Sequence, residues 1–138
     1  MNKISGSCLC GSVQYKSNSE PLMTAVCHCR NCQKQTGSSF SLIVAVPADS
    51  ISIEGEENIK NFPDRGESGG AVTRRFCGNC GSPILSLVEV VPGMAFIKAG
   101  TLTDTSWLEP TSHIWCDTAQ PWVDISDSLE RVPRNPAA

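Results

Sequence analysis

Hydrophobic and polar residues alternate in "GSVQYKS": Val13 and Tyr15 fall on one side of an extended chain, Ser12, Gln14 and Lys16 on the other. That two-residue period predicts a strand with one buried face. "SFSLIVAVP" is a longer β-rich run closed by Pro47, and "SISIEG" is a third that ends at Gly55. "AVTRRF" and "PILSLVEVV" stand either side of "CGNCG", which predicts a hairpin with a metal at its tip. "MAFIKAG" and "SHIWC" predict two further strands. Short strands separated by turns make the chain all-β or mainly β.

The best helical candidate is the short piece from about Cys29 to Gln35, closed by Gly37 as a C-terminal cap. "GTLTDTSWLEP" admits some further helix. No repeat, low-complexity stretch or linker divides the chain, so residues 1–138 read as one domain, with 129–138, ending in the proline-rich "RVPRNPAA", as a loose tail.

Composition narrows the function classes. With 138 residues, 40% of them hydrophobic and 18% charged, the chain can bury a core and is not a disordered segment. A formal charge of -3, with both signs interspersed, gives no basic footprint for nucleic acid. No apolar run approaches the ~18 residues of a membrane span. "MNKISGSCLCGS" lacks the apolar core of a secretory signal, so a cytoplasmic location is expected.

The eight cysteines change the picture most. Seven fall in tight groups, "CLC", "CHCRNC" and "CGNC", whose close spacings suit metal ligation better than disulfides. Zinc takes four ligands in a tetrahedron. Cys8 and Cys10 share a face of an extended backbone, and the C-x-x-C of Cys77 and Cys80 fits a tight turn followed by Gly81. Together these four make a closed, structural zinc site. Cys27, Cys29 and Cys32 remain, and they converge if the chain passes from extended to helical between them. His28, between two same-face residues, should point away, as a surface group or a support behind the ligands.

Three ligands with an open fourth position mark a catalytic zinc. Three thiolates around the ion leave a charge of about -1, so water activation is disfavoured and a soft thiolate would complete the shell. The implied chemistry is addition of a small thiolate to an electrophile, or its reverse. The alternative is a second structural zinc, in a non-catalytic binding or scaffold module, with Cys116 or His113 as fourth ligand. Pairing "CRNC" with "CGNC" as one zinc ribbon would leave the other cysteines scattered, and no ferredoxin spacing is present.

"GSCLCGSVQY", "CHCRNCQKQTGSSF", "FCGNCGSPIL" and "HIWCDTAQPW" resemble, in that order, the glutathione-dependent formaldehyde-activating enzyme family, which includes centromere protein V relatives. The resemblance implies a small, zinc-bearing, β-sandwich-like fold of the type shared with methionine-R-sulfoxide reductases. It implies two zincs per chain, with Cys8, Cys10, Cys77 and Cys80 holding the structural ion and Cys27, Cys29 and Cys32 the catalytic one. The implied activity is a carbon–sulfur lyase reaction, in which glutathione and formaldehyde condense to S-hydroxymethylglutathione. A glutathione site should offer cations, and Arg30, Lys34, Arg74 and Arg75 lie near the cysteines in sequence, each weighed against plain solvated charge. Cys116 reads as a passive strand residue or a reactive thiol, the latter able to serve a sulfoxide-reductase-like reaction. Trp115 and Trp122 read as core or pocket walls.

Overall fold

The computed structural model describes residues 4–66, 69–126 and 128–134, and the alternating segments are strands in it. A three-stranded antiparallel sheet joins β1 (Ser5–Ser7), β2 (Gln14–Ser17) and β5 (Ile51–Glu54) in the order β1-β2-β5. The larger sheet holds β3 (Met23–Cys27), β4 (Ser41–Pro47), β6 (Ile59–Arg65), β7 (Ala71–Cys77), β8 (Pro83–Val88), β9 (Met94–Lys98), β10 (Ser112–Ile114) and β11 (Glu130–Arg131). Its order is β11-β10-β3-β4-β9-β8-β7-β6. Val13 and Tyr15, the predicted buried half of the first segment, pack with Val44, Val46, Leu85, Ala95 and Ile97 of the larger sheet. This is the main core, and it lies between the sheets.

The opposite face of the larger sheet carries the protein's one described α-helix, α1 (Arg30–Thr36). Its C-cap is Gly37 in the left-handed region, φ 69°, as the sequence predicts. Here a second apolar cluster gathers Ala25, Cys27, Ile43, Ile114 and Trp115 under Cys32. Among the described residues no helix is long and apolar enough to cross a membrane.

The predicted hairpin around "CGNCG" is β7–β8, antiparallel, with a register shift at Arg75/Phe76. Strand β6, "IKNFPDR", was not expected, because it is polar and contains Pro63. It sits at the sheet's edge, where a proline's missing N–H leaves no central ladder broken. A short 3₁₀ turn, Ala99–Thr101, runs into the start of "GTLTDTSWLEP", which holds no α-helix.

The C-terminal segment also differs from expectation. Instead of fraying from 129, Glu130–Arg131 add a parallel strand to β10. The backbone N–H groups of Trp115, Cys116 and Asp117 then donate to the carbonyls of Arg134, Val132 and Pro133. Pairing through backbone groups leaves no hydrophobic pattern to read, which is why composition alone suggested a tail. Residues 135–138 of that expected tail lie outside the described residues.

Gly55, where β5 was expected to end, has φ 82°, and a Cβ there would lie 1.8 Å from the Ser12 carbonyl oxygen. Gly55→Ala is therefore expected to lower stability by about 2 kcal/mol or more, measured as a lower urea midpoint at unchanged slope.

Candidate functional site

The turn between β1 and β2 and the tip of the β7–β8 hairpin bring Cys8, Cys10, Cys77 and Cys80 together, with all four sulfurs within 4.8 Å of one another. Cys8 and Cys10 do not lie on an extended strand as predicted. The chain turns instead, with the Gly11 N–H donating to the Cys8 carbonyl at 3.2 Å, and the turn converges the thiols equally well. The sulfurs also collect donors. Val13 N–H reaches Cys8 at 3.3 Å, Asn79 N–H reaches Cys77 at 3.4 Å and the Asn79 side chain reaches Cys10 at 3.1 Å. Gly81 takes the left-handed conformation that the tight turn requires, φ 83°, and its own N–H closes the turn onto the Cys77 carbonyl at 2.8 Å.

These donors favour thiolates. The Ser12 hydroxyl and backbone, then Asn79, bring Cys10 down to about 7, and the Ser82 hydroxyl and backbone bring Cys80 down to about 5. Burial pushes Cys8 up. Four clustered sulfurs held by backbone and amide donors fit a thiolate-binding ion such as zinc.

The second group, Cys27, Cys29 and Cys32, also has its sulfurs within 4.8 Å of one another. Cys27 ends β3, and Cys29 is the extended N-cap of α1, its sulfur accepting the Cys32 N–H at 3.2 Å. Cys32 follows one helical turn later. The extended-to-helical passage anticipated from the spacing is what makes them converge. His113 and Cys116 join neither group.

Charge around the trio comes from two buried cations, Arg74, among the candidates the sequence offered, and Lys98, which was not among them. Arg74 is buried; its Nε donates to Asp64 at 2.8 Å and its Nη1 lies 3.9 Å from the Cys32 sulfur. Lys98, 5% exposed, donates to the Ser41 hydroxyl at 2.8 Å. Cys32 is held far below the ordinary thiol range, first by its hydrogen bonds from Cys27 and Cys29 and further by the Lys98 and Arg74 charges. Cys27 goes up as the partner that keeps its proton. Burial lowers Lys98, against the pull of the thiols. Two buried cations beside three thiols fit an anionic, metal-bound trio.

Both groups could thus hold a metal ion. The surrounding residues sort differently from the sequence reading. His28 is fully buried, not on the surface, and its Nε2 lies 2.9 Å from His113 Nδ1 with the rings stacked. Arg30 donates to Gln33, Lys34 is exposed, and Arg75 turns to Asn61 and Glu56. Of the four cations considered, Arg74 alone reaches the trio. Trp115 is buried at φ 58°, whereas Trp122 is 72% exposed and walls nothing. That left-handed residue ends β10, so Cys116 begins a 3₁₀ turn and is not a strand residue. Lys98 was missed because a lysine closing a strand reads as a solvent-facing end. Its parity with Phe96, two residues earlier on the same side of β9, was the available signal.

A family model described as "Glutathione-dependent formaldehyde-activating enzyme" matches residues 3–118. Proteins named "Putative glutathione-dependent formaldehyde-activating enzyme" are similar in sequence. That of Penicillium rubens is 27% identical over 108 residues, covering 75% of this chain and 55% of its own length. That of Podospora anserina is 28% identical over 109 residues, covering 75% and 49%. The chain thus spans about half the length of these curated relatives. A crystal structure of a Rhodobacter sphaeroides protein shares the fold, with a TM-score of 0.59 at 19% identity, covering 72% of this chain and 88% of that one. With the match spanning all seven clustered cysteines, the chain belongs to the glutathione-dependent formaldehyde-activating enzyme family.

Proposed function

We propose that this protein is a zinc-dependent enzyme of carbon–sulfur lyase type that activates glutathione for addition to formaldehyde or a similar small aldehyde. Cys8, Cys10, Cys77 and Cys80 hold a structural zinc, and Cys27, Cys29 and Cys32 hold the catalytic one. The observation that carries this reading is the partition of seven sulfurs into a quartet and a trio, the first enough to fill a tetrahedral shell and the second one ligand short of it. When bound, the catalytic zinc supplies a soft Lewis-acid position that keeps a visiting thiol ionised at neutral pH.

The chain's own residues do the rest. Backbone and helix place the three cysteines, with the Cys32 N–H held on the Cys29 sulfur. Arg74, oriented by Asp64, offsets negative charge at Cys32. The thiolate attacks the aldehyde carbon, the carbonyl electron pair moves to oxygen, and the proton released by the thiol ends on that oxygen, giving the S-hydroxymethyl adduct. A reducing cytoplasm suits eight unpaired thiols.

Metal analysis with zinc-edge X-ray absorption tests this. Two zincs per chain are expected, with about 3.5 sulfurs per zinc at rest and about 4 once glutathione is added. A shell already saturated by protein ligands, and unmoved by glutathione, would support the scaffold alternative instead.

A further inference from the structure

The face of the larger sheet beneath α1 holds more polar groups than the trio needs. Arg74 is already paired with Asp64. Lys98 has no such partner: among the described residues it meets one hydroxyl, that of Ser41, and no carboxylate. An ammonium this buried costs several kcal/mol unless an anion offsets it. Nearby, the Ser86 hydroxyl is buried and, among the described residues, has no hydrogen-bond partner. Ser86 lies opposite Arg74 on one neighbouring strand and opposite Phe96 on the other, and Phe96 shares its side of β9 with Lys98. A lone cation and an orphan hydroxyl therefore occupy the same face as the three cysteines.

Charge balance suggests why. Three thiolates and a divalent ion sum to about -1, and an anionic fourth ligand would take the site to about -2. In a buried setting that second anion is strongly disfavoured unless a cation is already in place. The Lys98 ammonium donates to the Ser41 hydroxyl at 2.8 Å, and Ser41 is the cross-strand partner of Cys27 on β3, which sets the cation beside the trio.

We propose that Lys98 is the residue that makes the open position beside Cys27, Cys29 and Cys32 selective for soft anions, with the Ser86 hydroxyl as a second donor to the bound ligand. This rests on the reading of the trio as an open metal site and specifies which ligands it takes: anionic thiolates in preference to neutral thioethers or water. Lys98 is a positioning residue for the charge of the ligand and not a metal ligand itself.

The test uses the full chain loaded with cobalt(II), whose visible absorption reports the shell, titrated with thiocyanate and separately with glutathione. Wild-type protein is expected to bind thiocyanate with a clear spectral change. Lys98→Met should keep both metals and bind thiocyanate at least ~30-fold more weakly, about 2 kcal/mol by conversion, with Lys98→Arg recovering part of the loss. If Lys98→Met does not accumulate folded, Lys98→Gln, uncharged but hydrogen-bonding, gives the same comparison. Wild-type protein that ignores thiocyanate, a variant affinity within threefold of wild type, or loss of one metal in the uncharged variants would each overturn the proposal. Thiocyanate binding that depends on Lys98, without any glutathione binding, would leave it standing and defeat the thiol-activation reading instead.

Discussion

Cys77→Ser is expected to unfold most of the chain. Cys77 is fully buried at the end of β7, where its sulfur meets those of Cys8, Cys10 and Cys80. Through that group the hairpin of the larger sheet is tied to the β1–β2 turn of the smaller one, with Cys77 67 residues away in sequence from Cys10. Metal binding at such sites contributes about 10–16 kcal/mol in small zinc-folded peptides, comparable to the ~5–15 kcal/mol net stability of a domain. A hydroxyl is a poor substitute for a thiolate, so this ion and the cooperative thermal transition should be lost together, read by circular dichroism and metal content. A variant that melted within a few degrees of wild type would show that the quartet does not staple the sheets.

Cys29→Ser should behave in the opposite way. Cys29 is the N-cap of α1, and serine is among the best N-cap residues, so the helix keeps its first hydrogen bond. What goes is one sulfur of three. The variant is expected to stay folded, to carry one metal per chain instead of two, and to lose adduct formation by at least ~10³-fold, the several kcal/mol that a Lewis-acidic ion supplies. Retention of both metals would mean that the trio is assigned wrongly. The contrast between the two serine variants separates stability from chemistry within one residue type.

The two cysteine groups were legible in the sequence because the geometry within each pair and within the trio is local, and the four-ligand shell of zinc is what joined the two distant pairs. C-x-C and C-x-x-C spacings bring thiols together in a turn or at a helix start, whatever surrounds them. Even the wrong detail, an extended backbone at Cys8 and Cys10, did not change which sulfurs met. Of the two readings of His28, burial removes the surface one, because parity along a strand says which way a side chain points and not whether something covers it. The cover is His113, brought alongside by the parallel pairing of β10 with β3. A pairing 85 residues apart leaves no mark on the local pattern.

The sequence by itself therefore determined the mainly β class, the hairpin at "CGNCG", the capped helix and the division of seven cysteines into four and three. Each depends on periodicity or spacing over a few residues, where backbone geometry leaves few choices, the quartet needing in addition the four-ligand shell that joins its two pairs. Only the tertiary structure decided which cations face the trio. It selected Arg74 over Arg30, Lys34 and Arg75, added Lys98, and recruited the C-terminal segment as a strand. Those outcomes depend on the register between strands distant in sequence, and a one-residue slip would have turned Arg74 and Lys98 to the other face.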